Sequence, residues 1–234
     1  MRIGIDLLWV RVGICGGTES VVRNLLDGFT QYAPQHEYVL FVARDNAESF
    51  CHYTEYPCVK IHECPIDCAN PAKRILWENL HLDNTAVDAQ VDVMLIPVYS
   101  KPASHSKIPY VSVIHDLQAV HYPQYFSPVK RLFLKYAWRK TCRTSAKIVA
   151  ISDFVKEDIA KRYPYAADKL VTIYDPILSR QSGLSFSQLA EKLDLKQGKY
   201  FYCVSSMLPH KNLETVLKIC LLYTSDAADD TPCV

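Results

Sequence analysis

The residues best placed for chemistry are His115 and Asp116, which directly follow an apolar run that begins after Pro109. The run, Tyr-Val-Ser-Val-Ile, is rich in β-branched and apolar residues and predicts a buried strand. In an open parallel sheet, ligands bind just beyond the carboxyl ends of the strands. The sequence therefore predicts that this titratable pair lies at a cleft, whereas the structural alternative is a histidine that only closes a loop.

A second candidate site is the loop that contains Gly16 and Gly17, between a predicted strand and a helix opened by Thr18 and Glu19. The first N–H groups of a helix and the positive end of its dipole can hold an anion. The glycine spacing differs from the dinucleotide fingerprint G-x-G-x-x-G. The loop is therefore predicted either to bind an anion or to form a tight turn that requires glycine.

Short apolar segments alternate with amphipathic ones along the first three quarters of the chain. Strands are predicted at 2–9, 37–43, 92–97, 109–114, 146–151 and 170–174, and helices at 18–33, 73–85, 128–143 and 153–163. Residues 44–72 are predicted to be irregular because they are rich in proline. The alternation predicts an α/β fold with a doubly wound parallel sheet.

The remainder of the chain has a different composition. The predicted segments are a first domain, 1–178, a linker, 179–198, the start of a second domain, 199–219, and a tail, 220–234. The linker carries one short helix, 186–193, and the second domain opens with a strand, 199–206, and a helix, too little to bury a core. The tail breaks the helical pattern into small and acidic residues, so we predict that it is non-native and that the natural chain continues.

Composition excludes several classes of protein. The 234-residue chain has a net charge of +1 and is 49% hydrophobic, which predicts a globular protein without a global field for nucleic acid. No apolar run reaches the roughly 18 residues that span a bilayer, and no signal peptide is present, so we expect a cytoplasmic protein. The nine scattered cysteines indicate reduced thiols. The spacing of Cys58, His62, Cys64 and Cys68 departs from that of zinc sites, so we predict no metal.

The predicted helix 128–143 carries charge of one sign. No acidic residue occurs between Phe126 and Ser152, and the basic residues there are Lys130, Arg131, Lys135, Arg139, Lys140, Arg143 and Lys147. Like charges at i+4 steps repel by about 0.2–0.5 kcal/mol per pair in an isolated helix. An anionic partner would relieve this repulsion. The two candidate partners are an anionic membrane surface and acidic residues from elsewhere in the fold.

Several motifs, taken in order, resemble glycosyltransferase family 4, a group of retaining enzymes with two Rossmann-like domains in the GT-B fold. These motifs are Gly16-Gly17-Thr18-Glu19, Val113-Ile114-His115-Asp116-Leu117, the stretch 149–159, Tyr174-Asp175-Pro176-Ile177, and the stretch 204–213. Each motif is weak alone, but their order and spacing over residues 1–219 form a strong combination. The resemblance implies a Rossmann-like N-terminal domain followed by an incomplete second one.

The resemblance also implies an activity, a hexosyl transfer from a nucleotide-diphosphate sugar to a glycan or lipid-linked acceptor with retention of configuration. Gly16 and Gly17 would approach the donor diphosphate, and Lys211 would neutralise it as it leaves. His115 would orient the reacting sugar or the acceptor hydroxyl, and Asp116 would fix its imidazole.

Further implied roles concern the acceptor and the membrane. The acceptor-side residues would be Thr18, Glu19 and His121. Contact with anionic lipid at the inner face of the membrane would use Lys130, Arg131, Lys135, Arg139 and Arg143. No cofactor beyond the donor substrate, no metal and no nucleic acid is implied.

Two departures from the family pattern limit this reading. The family often has a glycine after the second-domain strand, and many members have an arginine close behind it. Ser205 and Ser206 occupy that turn here, so Lys211 would lack one cationic partner. The E-x7-E stretch that contacts the donor is expected in a C-terminal half that this chain lacks, so we expect the chain alone not to transfer sugar. The alternatives are a nucleotide-sugar 2-epimerase and a non-catalytic anion-binding Rossmann-like module. A dehydrogenase is disfavoured because the glycine fingerprint is missing.

Overall fold

The structure is a computed structural model that describes residues 1–102, 106–177, 183–196, 198–200, 202–205 and 211–226. The chain divides into two compact units, Met1–Leu178 and Ser179–Val234. The predicted division into domain, linker and tail remains a prediction, and each unit is considered by itself.

The first unit is built on seven parallel strands in the order β3-β2-β1-β4-β5-β6-β7. The strands are β1 (Arg2–Asp6), β2 (Glu37–Ala43), β3 (Val59–Cys64), β4 (Val93–Ile96), β5 (Tyr110–Ile114), β6 (Lys147–Ala150) and β7 (Leu170–Thr172). The strand order reverses between β1 and β4. In a sheet of this kind, the crevice at the reversal point is where ligands bind.

Helices connect the strands and cover both faces of the sheet. The α-helices of the first unit are α1 (Gly17–Tyr32), α2 (Pro71–Trp77), α3 (Asp83–Asp88), α4 (Gln118–His121), α5 (Pro128–Thr144) and α6 (Asp153–Arg162). A π-helical turn, Glu78–Leu82, joins α2 to α3, and 3-10 helices occupy Ala47–Glu55, Pro123–Tyr125 and Pro164–Lys169. The predicted α/β, Rossmann-like, doubly wound architecture is confirmed.

The buried side chains show why the two faces are both covered. Ile5 of β1 belongs to a buried cluster that includes Val22 and Leu26 of α1. Met94 of β4 belongs to another cluster, which includes Ala86 of α3. Because successive side chains of a strand point to opposite faces, a strand buried on both faces reads as a continuous apolar run, as β2 does.

The local signals of the sequence predicted several element boundaries correctly. Strand β2 spans the predicted residues 37–43. Ser127 caps α5 by accepting a hydrogen bond from the Lys130 N–H, and Ser152 caps α6 by accepting one from the Val155 N–H. These short-range interactions are encoded within four residues, which is why the sequence alone reveals them.

The prediction that residues 44–72 are irregular is wrong. This segment contains a 3-10 helix and strand β3, which pairs with β2 from Tyr38 opposite Val59 to Ala43 opposite Cys64. Strand β3 lies at the edge of the sheet and includes the exposed residues Lys60 and Glu63. Charged residues are frequent on edge strands and obscure the apolar pattern that identifies central ones.

Other predicted boundaries shift. Strands predicted at 2–9 and 170–174 end at Asp6 and Thr172. The helix predicted at 73–85 begins at Pro71, where the Asn70 side chain caps it, and its course includes the π-helical turn.

The second unit contains α7 (Phe186–Leu193), as predicted, and α8 (Leu213–Asp226). The strand predicted at 199–206 is wrong for the part that the structure describes, since 199–200 and 202–205 carry no strand. A strand needs a neighbour to satisfy its backbone, and the described residues of this unit offer none. Helix α8 continues through residues 221–226, and the non-native origin of the tail stays a prediction.

Candidate functional site

The candidate site lies at the carboxyl edge of the sheet, where the loops after β1, β4 and β5 meet the switch point. Helix packing holds the loop after β4 in place. The buried Thr141 hydroxyl of α5 donates to the Tyr99 carbonyl at 2.6 Å and accepts from the Lys101 N–H at 3.2 Å. Residues 103–105 of this loop lie outside the described part of the chain.

His115 follows β5 directly and reaches across to β4. Its Nε2 lies 3.0 Å from the carbonyl oxygen of Pro97, and its Nδ1 lies 3.9 Å from the Asp175 carboxylate in the segment after β7. A carbonyl can only accept, so Nε2 carries a proton and donates it. The ring is therefore oriented by two segments distant in sequence, and Nδ1 is the nitrogen left to interact with a ligand.

The prediction that Asp116 fixes the His115 imidazole is wrong. The Asp116 carboxylate accepts from the Gln118 N–H at 2.9 Å and so closes the turn that opens α4. The carboxylate that faces the imidazole is that of Asp175. Sequence reasoning placed Asp175 in a motif but did not assign it to His115, because the 60-residue separation hides their proximity.

Gly16 and Gly17 form the entry to α1. Gly16 has φ 60° and ψ −133°, a conformation that L side chains rarely adopt, and it is the N-cap without any side-chain hydrogen bond. A Cβ added at Gly16 or Gly17 would meet no heavy atom within 4 Å, so space beside both is open. The first N–H groups of a helix have no intrahelical acceptor. This entry can therefore receive an anionic oxygen.

The Glu19 carboxylate ties this loop to helix α1. One oxygen accepts from the Gly13 N–H at 2.9 Å, and the other accepts from Arg23 at 2.9 and 3.0 Å. Arg23 in turn donates to the Ser49 carbonyl and lies 4.6 Å from the centre of the Phe50 ring. Both carboxylate oxygens of Glu19 thus bind groups within the fold, so Glu19 positions the loop rather than contacting a ligand directly.

The neighbouring Thr18 is also engaged within the loop. Its hydroxyl donates to the Cys15 carbonyl at 3.2 Å.

Asn46, which sequence reasoning missed, lies just after β2 and also holds the loop that follows β1. Its buried amide donates to the carbonyls of Leu7 and Val10, and its oxygen accepts from Ala43. A buried asparagine after a strand was the available signal.

A buried charged cluster lies beneath the β1 end of this edge. Asp6, 1% exposed, ends β1, and Glu78, 2% exposed, opens the π-helical turn. Arg74 forms an ion pair with Glu78. Burial is the main cause that raises the pKa of both carboxyls above the ordinary range, while the Arg74 charge opposes this rise. Sequence reasoning missed this cluster, although Asp6 stood out as an acid within an apolar strand.

A comparison with protein families decides the identity of this unit. The profile of Glycosyltransferase Family 4 matches residues 15–177, which include His115, the glycine loop and Asp175. The chain belongs to glycosyltransferase family 4.

One curated protein similar to this family 4 chain is the O-antigen chain mannosyltransferase RfbU of Salmonella typhimurium strain LT2. The two sequences are 26% identical over 105 residues, which cover 45% of this chain and 27% of that protein. The chain thus spans about a quarter of the length of this curated relative.

Three solved structures are similar to the family 4 chain. Anabaena Alr3699/HepE in complex with UDP is 17% identical with a TM-score of 0.48, and the match covers 82% of this chain and 50% of that one. A glycosyltransferase from Rickettsia africae ESF-5 is 15% identical with a TM-score of 0.48, and the match covers 84% of this chain and 50% of that one. LpCGTa in complex with UDP is 10% identical with a TM-score of 0.51, and the match covers 87% of this chain and 60% of that one. At this identity the last similarity bears on the fold alone, and it agrees with a GT-B domain.

The other predicted site residues of this family 4 chain lie apart from the switch point or in the second unit. His121 of α4 binds Asp158 of α6 through Nε2 at 2.6 Å. Lys211 is exposed in the second unit, and the preceding residues 206–210 lie outside the described part. The structure therefore brings together His115 and its partners from the first unit.

The described residues contain neither a candidate metal cluster nor a helix suited to cross a bilayer. No group of three or more histidine, cysteine or acidic side chains forms a metal site among them. Burial raises the pKa of Cys64 and Cys68 to about 12, so both thiols stay protonated at neutral pH. No described helix combines the length and the apolar composition that a membrane span requires.

The basic residues of α5 fall into two groups. Three of them lie over aromatic rings: Lys130 over Phe126 at 5.3 Å, Lys140 over Tyr136 at 5.6 Å, and Arg143 over Tyr165 at 5.6 Å. The second group, Arg131, Lys135 and Arg139, is exposed. Within the described residues no ion pair joins α5 to an acid, although the charge of the buried Glu78 acts on Lys140.

Proposed function

We propose that the protein to which this chain belongs transfers a hexose from a nucleotide-diphosphate sugar to a glycan or lipid-linked acceptor, with retention of configuration. The observation that carries the proposal is the family match over 15–177, which spans the unit where His115 stands at the switch point. The relative named as an O-antigen chain mannosyltransferase supports a hexose and a glycan acceptor. The neighbours solved with UDP support a nucleotide-sugar donor.

In the proposed reaction, this chain contributes one side of the site. The open N–H groups beside Gly16 and Gly17 receive phosphate or sugar oxygens at the positive end of α1. The Nδ1 atom of His115 accepts a hydrogen bond from a sugar hydroxyl, because Nε2 is already committed to Pro97. Lys211 neutralises the diphosphate as negative charge develops on the leaving group.

The test compares two proteins side by side, the product of the complete gene and the 234-residue chain. Each is incubated with UDP- and GDP-hexoses, with and without lipid-linked or oligosaccharide acceptors, and nucleoside diphosphate release and the anomeric configuration of the product are measured. We expect the complete protein to release nucleoside diphosphate only when an acceptor is present, with retention, and the chain alone to show no turnover.

Other outcomes would replace the proposal. Interconversion of nucleotide sugars without any acceptor would identify a 2-epimerase. Anion binding by the complete protein without turnover on any donor would identify a non-catalytic module.

We also propose that the protein acts in the cytoplasm, in peripheral contact with anionic lipid through Lys130, Arg131, Lys135, Arg139 and Arg143. The one-signed charge of α5 supports this contact, since each basic residue near an anionic surface contributes about 1 kcal/mol. Charge reversal of Arg131, Lys135 and Arg139 should abolish sedimentation with vesicles that contain phosphatidylglycerol. Unchanged sedimentation of the reversed variant would contradict the membrane contact.

A further inference from the structure

A cavity of about 520 Å³ lies between the segment around α4 and helix α5, and His115 is not among the residues that line it. Its apolar lining includes Val120, Leu132 and Trp138, and its charged lining comprises Arg131 and Lys135 of α5 and Arg162 of α6. The volume falls within the range of small-molecule sites. The lining therefore combines an apolar wall with positive charge from two different helices.

Among the described residues, no carboxylate lies within ion-pair distance of the three cations in the lining. No acidic residue is among the residues that line the cavity. Within the part of the chain that the structure describes, none of the ion pairs includes Arg131, Lys135 or Arg162. Three positive charges around one concave space repel one another, and an anionic group in that space would remove the repulsion.

Trp138 contributes to the apolar wall of the cavity. The residue lines the cavity and is 2% exposed. Its indole nitrogen is buried from solvent, so the ring presents carbon atoms to the cavity.

The surface beside the cavity is apolar. Val129, Leu132 and Tyr136 stand at i, i+3 and i+7 on α5, so they share one face, and their exposed fractions are 80%, 71% and 60%. Leu132 also lines the cavity, so this apolar face is continuous with it. A small soluble anion would leave the face uncovered, whereas the hydrocarbon chains of a lipid would cover it.

We propose that this cavity binds the phosphate headgroup of a single membrane phospholipid, with its acyl chains along the face formed by Val129, Leu132 and Tyr136. The phosphate oxygens are bound by Arg131, Lys135 and Arg162. This is a defined site with a stoichiometry of one lipid per chain, in contrast to the diffuse attraction of a basic helix to a charged surface. It does not depend on the transfer reaction.

The test uses the 234-residue chain and a monomeric lipid, so that no charged surface is present. Dihexanoyl phosphatidic acid, kept below its micelle concentration, is titrated into the protein and followed by Trp fluorescence and calorimetry. We expect saturable binding of one molecule per chain. Inorganic phosphate should bind at least tenfold more weakly, because it covers none of the apolar face.

Charge-matched variants separate the cavity from general electrostatics. Arg131→Gln and Arg162→Gln should each weaken binding by about tenfold or more, because each removes a charge-assisted hydrogen bond. Lys161→Gln removes one positive charge from the adjacent exposed position on α6, outside the cavity, and should change binding less than twofold.

Three outcomes would overturn the proposal. They are the absence of saturable binding, equal losses in the Lys161 and Arg162 variants, and inorganic phosphate binding as tightly as the lipid, which would identify a free-phosphate site. Far-ultraviolet circular dichroism checks that each variant is folded. Failure of the donor assay leaves this result unaffected, because the titration contains no sugar nucleotide.

Discussion

Replacement of His115 by alanine in the complete protein should lower kcat/KM for sugar transfer by about 100-fold or more, because the loss of one positioned hydrogen-bonding group at a reacting centre costs about 10²–10³-fold. The ring is held by the Pro97 carbonyl and faces the Asp175 carboxylate, so its orientation is set before a ligand arrives. A ring that acts on the reacting groups should affect kcat more than KM. Steady-state kinetics with a saturating acceptor measure this division.

The control for this prediction is His52→Ala, which removes an exposed imidazole from the 3-10 helix after β2 and should change kcat/KM less than twofold. The structure also predicts which of two carboxylates, Asp175 or Asp116, affects kcat more. Asp175→Asn should reduce kcat more than Asp116→Asn, because Asp175 faces Nδ1 while Asp116 binds the Gln118 N–H. A His115→Ala variant with kcat within threefold of the wild type would contradict the assigned role.

Replacement of Arg74 by methionine should lower the free energy of unfolding by about 1–3 kcal/mol, because it leaves the buried Glu78 carboxyl group without its hydrogen-bond partner. Glu78 is almost fully buried, and its ion pair with Arg74 lies close to the equally buried Asp6. Urea denaturation of the 234-residue chain at pH 7 measures the change. Lys73→Met, which removes a charge from the adjacent exposed position, should cost less than about 0.5 kcal/mol.

The contribution of the same cluster to the free energy of unfolding depends on pH in a definite direction. Burial raises the pKa of Asp6 and Glu78, so the folded state keeps protons that the unfolded state has lost. Protonation of this pair therefore stabilises the folded state fully at a pH below the ordinary carboxyl pKa values. This stabilisation falls as the pH rises from about 4 through neutrality. Arg74→Met should steepen the fall, since the Arg74 charge lowers both pKa values.

A double variant keeps this prediction falsifiable. Arg74→Met combined with Glu78→Gln removes both charges and should recover at least half of the lost free energy of unfolding. A single variant that costs less than about 1 kcal/mol, or a double variant less stable than the single one, would show that the ion pair does not compensate the buried carboxylates.

The sequence predicted those parts of the molecule that depend on neighbours along the chain. His115 was identifiable because an apolar strand ends at it, and Ser127 and Ser152 because capping is complete within one turn. The partner of His115 was misassigned to the adjacent Asp116, since the contact with Asp175 exists only after β5 and β7 have joined one sheet.

The buried cluster escaped prediction for a related reason. Arg74 and Glu78 lie one turn apart and resemble an ordinary surface pair of an amphipathic helix. Only tertiary packing buries them beside Asp6, which precedes them by about seventy residues. Burial is a property of the assembled sheet and helices, so the pattern of the helix alone could not reveal it.

The interior place of β1 in the sheet has a consequence for biosynthesis. Ile3 pairs with Val93 and Gly4 pairs with Met94, so one edge of β1 stays open until β4 has been translated. At about 5–20 residues per second, this interval lasts roughly 5–20 seconds. Throughout that time the nascent chain exposes an unpaired apolar strand edge, which makes it a client for chaperones and a target for aggregation during slow translation.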